Sequence, residues 1–129
     1  MKTVQLAALA ATILSYSHAI AAAPTAADNP AMVALAKQSG CLTCHAITAS
    51  EPAAGAPKPI GPAWQDVARK YKNQQHAAVK LTDTVMQGSS PYASHWKDKV
   101  TGLAMPPNAV AINRDQARVL VRWILSLDH

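Results

Sequence analysis

The chain has 129 residues, half of them apolar, and a formal net charge of +5 from twelve Lys and Arg against seven Asp and Glu. That length holds one small domain, and with no Phe, three Trp and three Tyr its core is short of bulky aromatic filling. The basic residues are scattered rather than clustered, which argues against a nucleic-acid-binding face; they fit a solvated surface or a basic rim that docks an acidic protein.

Residues 1–23 read as a signal peptide and residues 24–129 as the domain. Lys2 supplies a short positive region, Val4 to Leu14 an apolar run, and Ala19, Ala21, Ala22 and Ala23 the small residues of a cleavage site after Ala21 or Ala23. The run is too short to cross a bilayer, and Ser15, Ser17 and His18 keep it from continuing. The expectation is an exported, periplasmic protein with no membrane span once the leader is removed.

A flexible leader reaches Asn29-Pro30, a helix N-cap followed by proline at the first helical position. The first helix is predicted over 30–39, burying Met32 or Val33 with Leu35 and Ala36, and Gly40 ends it. Residues 50–62 are rich in Pro, Gly and Ala and form a loop. Trp64, Val67, Ala68 and Tyr71 then fall on one face of a second helix. A third helix, within 76–87, places Ala78, Leu81 and Val85 together, and Gly88 stops it. Residues 89–107 carry no sustained period and read as a long loop. Asn113 and Gln116 make a capping box for the last helix, whose stripe is Ala117, Leu120, Val121, Ile124 and Leu127. No stretch alternates as a strand does, and no repeat or second domain is visible. The fold class is all-α, with about four short helices.

The chemistry lies in "CLTCH", Cys41 to His45, which contains both cysteines of the chain. A disulfide between them would close a tiny loop and remove little chain entropy. A dithiol redox site is expected beside a βαβ pattern, which is missing. A zinc site needs four ligands, and His76 and His95 lack the spacing to complete one. Covalent haem attachment uses every residue: two thiols take up two vinyl groups, and His45 comes under the iron as an axial ligand. For the opposite axial position the candidates are Met32, Met86, Met105, His76, His95 and His129. Met32 and Met86 lie on predicted helices, where methionine is ordinary packing. Met105 is favoured because Pro106 and Pro107 stiffen its loop, with His95, in the same irregular segment, as its rival.

The stretches "SGCLTCHAI", "GPAWQDVARKY", "MPPNAV" and "RVLVRWILSL" occur in an order that resembles the small bacterial class I cytochromes c, the c551/c552 group. The resemblance covers most of residues 24–129. It implies the class I cytochrome c fold, helices packed around one haem c bound through Cys41 and Cys44, with His45 and Met105 as axial ligands. It further implies a hydrogen bond from the His45 ring to the Pro62 carbonyl and an Asn108 side chain directed at the Met105 sulfur. Taken alone, Pro62 reads as a helix start and Asn108 as the close of a turn. The chain departs from the group's pattern in longer loops before Gly61 and before Met105. Trp96, the candidate donor to a haem carboxylate, lies farther upstream of the methionine than usual. Thr84 stands near a position that is often basic. Trp64, Tyr71 and Trp123 read as core residues, and Leu81 and Val85 as apolar wall against the porphyrin.

An iron with both axial positions filled has no room for a substrate. The expected function is therefore electron transfer and not catalysis: a monomeric periplasmic carrier that docks transiently with redox proteins. Lys37, Lys58, Lys97 and Lys99 are candidates for its basic rim. The alternatives are a haem subunit of a larger periplasmic dehydrogenase, with the long loops as its contact surface, and an open-iron enzyme or sensor.

Overall fold

The computed structural model describes residues 29–51, 53–92 and 95–127. The proposed leader and His129 lie outside them. Four α-helices follow one another: α1 (Pro30–Gln38), α2 (Trp64–Tyr71), α3 (Ala77–Gln87) and α4 (Arg114–Leu125), with one 3-10 turn at Cys41–Thr43. There is no strand among the described residues.

The helix ends are built by the local chemistry that the sequence suggests. The Asn29 carboxamide oxygen accepts from the Met32 amide at 3.2 Å with Pro30 in the first turn. Helix α1 stops at Gln38, one residue earlier than expected, because Ser39 takes the C-cap and Gly40 turns left-handed at φ +72°. At α4 the capping box is complete, Asn113 accepting from the Gln116 amide at 2.9 Å and Gln116 from the Asn113 amide at 3.2 Å. Helix α3 begins after His76, which sits left-handed at φ +61° and caps nothing with its side chain.

Helix α4 packs against α2 and α3 and touches α1. Its stripe is buried as the spacing predicts, together with Trp123. The scarce aromatics are concentrated at one place. Trp64 and Trp123 meet edge to face at 5.6 Å, and both are buried. Tyr71 stays half-exposed. On α3 the expected apolar face is only partly covered: Ala77 and Thr82 are buried, whereas Leu81 and Val85 are half-buried, because both line a cavity. Thr82 is satisfied by donating to the Ala78 carbonyl at 2.7 Å. The ion pair Arg114–Asp83, 2.6 Å, joins α4 to α3 but is exposed and worth little beside the packing.

Leu120 is the largest side chain that is wholly buried. Leu120→Ala should cost about 2–5 kcal/mol, whereas Val119→Ala on the exposed face of the same helix should cost under about 1 kcal/mol. Denaturant unfolding of the two purified variants tests the difference, and equal losses would show that α4 does not carry the core.

Candidate haem site

The cysteine motif is sewn to the segment before α2. The amide of Gly61 donates to the Cys44 carbonyl at 2.8 Å, that of Trp64 to Ala46 at 2.9 Å and that of Gln65 to Ile47 at 3.1 Å. The His45 ring ends up stacked on Trp64, 5.9 Å between centroids and 24° between planes. Its Nδ1 lies 2.7 Å from the Pro62 carbonyl oxygen. A carbonyl only accepts, so Nδ1 carries the proton and Nε2 keeps a lone pair. Burial holds the imidazole below its ordinary pKa, and the bond to Pro62 offsets part of that shift. The ring is therefore neutral at neutral pH, the state in which it binds a metal.

Both cysteines are free thiols, so the disulfide alternative has no support here. Burial pushes the Cys41 thiol up. No group of three His, Cys, Asp or Glu gathers as a metal site among the described residues, which leaves the zinc alternative without a ligand set.

A cavity of about 640 Å3 opens beside the motif. Its apolar wall includes Val67, Leu81, Val85, Leu120, Val121 and Ile124. Cys41, Cys44, His45, Pro62, Trp96, Met105 and Asn108, the residues singled out in the sequence, all border it. His95 borders it too, but as an exposed residue of the outer loop. Trp96 reaches the cavity in spite of its unusual position, because a turn from Trp96 to Val100, closed by Lys99 and Val100 amides on the Trp96 carbonyl, presents it there.

Met105 is held by more than its prolines. Its amide donates to Ser89 Oγ at 2.8 Å, and the Ser89 amide donates back to the Met105 carbonyl at 2.9 Å. Two residues beyond Pro106, the Asn108 amide donates to the Val85 carbonyl at 3.0 Å. The Asn108 side chain has partners close to the methionine. Its Nδ2 donates to Pro106 at 2.7 Å and to Val85 at 3.4 Å, so both amide hydrogens go to carbonyls and bind the methionine turn to α3.

Four residues at the site escape a reading of the sequence. Ser89 gives no signal there beyond following a helix stop. Lys70 and Lys80 border the cavity, as Thr84 does, and bring positive charge to its wall. Gly61 lies against the histidine: a Cβ there would stand 2.8 Å from His45 Cε1 and 3.0 Å from Nδ1. The signal for it is present, a glycine directly before the proline that orients the ring.

The cytochrome c family model matches residues 33–128. The chain belongs to the cytochrome c family. Cytochrome c-551 of Pseudomonas aeruginosa is 36% identical over 100 residues, covering 78% of each chain. Cytochrome c-552 of Hydrogenobacter thermophilus is 36% identical over 93 residues, 72% of this chain and 78% of that one. The crystal structure of cytochrome c552 from Nitrosomonas europaea matches with a TM-score of 0.57 at 34% identity, covering 74% of this chain and 99% of that one. The fold is thus the all-α class I cytochrome c fold of the c551/c552 group, and the chain is a monohaem electron-transfer cytochrome. Membership brings one covalently attached haem c, for which Cys41 and Cys44 stand in the required C-x-x-C-H arrangement. The residues present fit that group: two free thiols, a neutral imidazole with a free nitrogen, and a glycine that leaves the ring its space all border one largely apolar cavity.

Gly61→Ala should tilt the imidazole off the Pro62 carbonyl and destabilise the protein by about 1–3 kcal/mol, the usual cost of overpacking. Thermal unfolding, with the His45 ring proton signals as a second readout, tests this; unchanged stability and unchanged ring signals would show that the glycine is incidental.

Proposed function

We propose that this chain is a periplasmic carrier of single electrons, exported through a leader at residues 1–23, with the domain at 24–129. In this reading His45 and Met105 would hold the haem iron. The observation that carries it is the His45–Pro62 hydrogen bond, which leaves Nε2 unprotonated on a cavity that Met105 also borders. Bound there, the haem supplies an iron that alternates between ferric and ferrous states. Everything else falls to the protein. Cys41 and Cys44 would hold the group covalently through their sulfurs. The Pro62 carbonyl fixes the His45 tautomer and raises its basicity. Ser89 and Asn108 hold the backbone of Met105 still, so that a weak thioether ligand is not lost to loop motion. Trp96 serves as a donor to a haem carboxylate, with Lys70 and Lys80 as nearby counter-charges.

If His45 and Met105 both held the iron, they would leave it little room for a substrate, which supports the reading as a carrier. Methionine opposite histidine raises the potential relative to two histidines. Among the described residues no helix is long and apolar enough to cross a membrane. The domain is read as a monomer that meets its redox partners briefly. A second reading, a haem subunit of a larger periplasmic dehydrogenase, draws on the hydrogen bonds that join the two long loops; co-migration with a dehydrogenase in size-exclusion chromatography would favour it.

The ferric protein should show a weak near-infrared band from methionine-to-iron charge transfer. Met105→Ala should abolish the band and lower the potential by about 0.1 V or more, a modest part of the ~0.8 V that axial ligation commands; His95→Ala should change neither. A band that survives Met105→Ala would overturn the ligand assignment. Separately, the Cys41→Ala, Cys44→Ala double variant should accumulate poorly and show little helix by circular dichroism. A stable helical protein from that variant would mean that the fold does not depend on haem attachment.

A further inference from the structure

The two loops that are longer than the group's pattern are bonded to each other beside the cavity. The Thr101 amide donates to the Pro59 carbonyl at 2.8 Å and the Gly102 amide to the Ile60 carbonyl at 2.9 Å. Thr101 Oγ1 adds a bond to Pro59 at 3.3 Å, and Lys58 Nζ donates to the Asp98 carbonyl at 2.6 Å. Asp98 is left-handed at φ +67°, a turn that a non-glycine residue adopts at some cost. The approach is close: a Cβ on Gly102 would stand 2.6 Å from the Ile60 carbonyl oxygen. Gly102 is not itself left-handed, so glycine serves there for space alone.

The joint connects the mounts of the two sides of the site. Ile60 is followed by Gly61 and Pro62, whose carbonyl holds the His45 ring at 2.7 Å. Gly102 is followed, after Leu103 and Ala104, by Met105. Leu103 and Ala104 are both exposed, so burial does not hold them. The segment depends on its two ends, the joint at 101–102 and the reciprocal bonds between Met105 and Ser89. Little burial and few bonds mark a segment that opens locally.

We propose that this joint is a latch: Thr101 and Gly102 act as positioning residues that fasten the Met105 segment to the segment carrying Pro62, and so set how often Met105 leaves the cavity. The opening of the segment is a property of the protein alone; its consequence at the iron rests on the proposed Met105 ligation. While the latch is closed, an external ligand is kept from the Met105 side. When it parts, imidazole takes the place of the Met105 sulfur on ferric iron, with no change of oxidation state.

The test uses the haem-loaded full domain, with amide hydrogen exchange followed by NMR and imidazole binding by stopped flow. In Gly102→Ala the added Cβ drives the segments apart. The amides at positions 101, 102 and 105 should gain about ten-fold or more in exchange rate relative to those of α4, the scale of one or two net hydrogen bonds. Imidazole should bind ferric iron faster by a similar factor. Leu127→Ala, which empties a buried position away from the cavity, should not raise that ratio. An unchanged ratio in Gly102→Ala, an equal rise in Leu127→Ala, or an imidazole rate that does not follow the ratio in protein showing the near-infrared methionine band would each overturn the latch. Where Gly102→Ala does not accumulate, Lys58→Met, Thr101→Val decides: it keeps both backbone bonds, and removing the side-chain bonds should raise the ratio about two- to three-fold. No rise there would overturn the latch equally. The two readings fail separately: wild-type protein without the methionine band would unseat the Met105 ligation, and the amide rates would still judge the latch.

Discussion

The His45 Nδ1 proton is committed to the Pro62 carbonyl at 2.7 Å, and most of the architecture around the cavity can be understood as protecting that commitment. The bond needs the ring to lie against residues 61–62, which only a glycine at 61 permits. It needs the carbonyl to stay where it is, and the backbone bonds from Gly61, Trp64 and Gln65 to residues 44–47 see to that. The stacked face of Trp64, itself set by Trp123, closes the ring from the side. A residue that is scarce in composition is thus used twice, once as core filling and once as a wall for the imidazole.

The methionine is secured by different means. In the proposed ligation a thioether would bind iron weakly, so a loop whose entropy is already lost suits it. Proline rings do part of this by fixing φ at Pro106 and Pro107. The reciprocal pair between Ser89 and Met105, and the two bonds that Asn108 sends from its side chain, do the rest by fastening the turn to the end of α3. Asn108 thus acts as a strut that joins the methionine turn to α3. Its influence on the iron would pass through the position of Met105.

What can be read from the sequence divides along the range of the interactions. The four helices are legible because Asn29, Gly40, Asn113 and Gln116 act on neighbours within a turn, and because the apolar spacing of α2 and α4 repeats locally. The cavity residues are legible because C-x-x-C-H states its chemistry within five positions. The hold of Ser89 on Met105 spans 16 residues and that of Thr101 on Pro59 spans 42, and no local pattern announces either. Trp96 is hard to place from sequence for the same reason: counting positions back from Met105 ignores the turn that returns the indole to the cavity. The face of α3 is legible only in part, since Leu81 and Val85 have the spacing of core residues but look into the cavity, leaving Thr82 among the buried.

That division on α3 bears on how this small domain holds together. A helix usually lays its apolar face on another helix; α3 presents Leu81 and Val85 to a space that protein atoms do not fill. Leu120, Val121 and Ile124 of α4 border the same space, so the two helices that pack on each other also share a wall around it. A flat apolar ring system seated there would complete the covering of both faces, and thioethers at Cys41 and Cys44 would tie it to the first turn after α1. Core and cofactor site are therefore one structure. A change that loosens the α3–α4 contact acts on the haem environment, and a change that moves the haem acts on the fold. The paired loops belong to the same unit: residues 58–60 and 98–102 are bonded to each other, and Ile60, Gly102 and Leu103 border the cavity beside the segments that carry Pro62 and Met105.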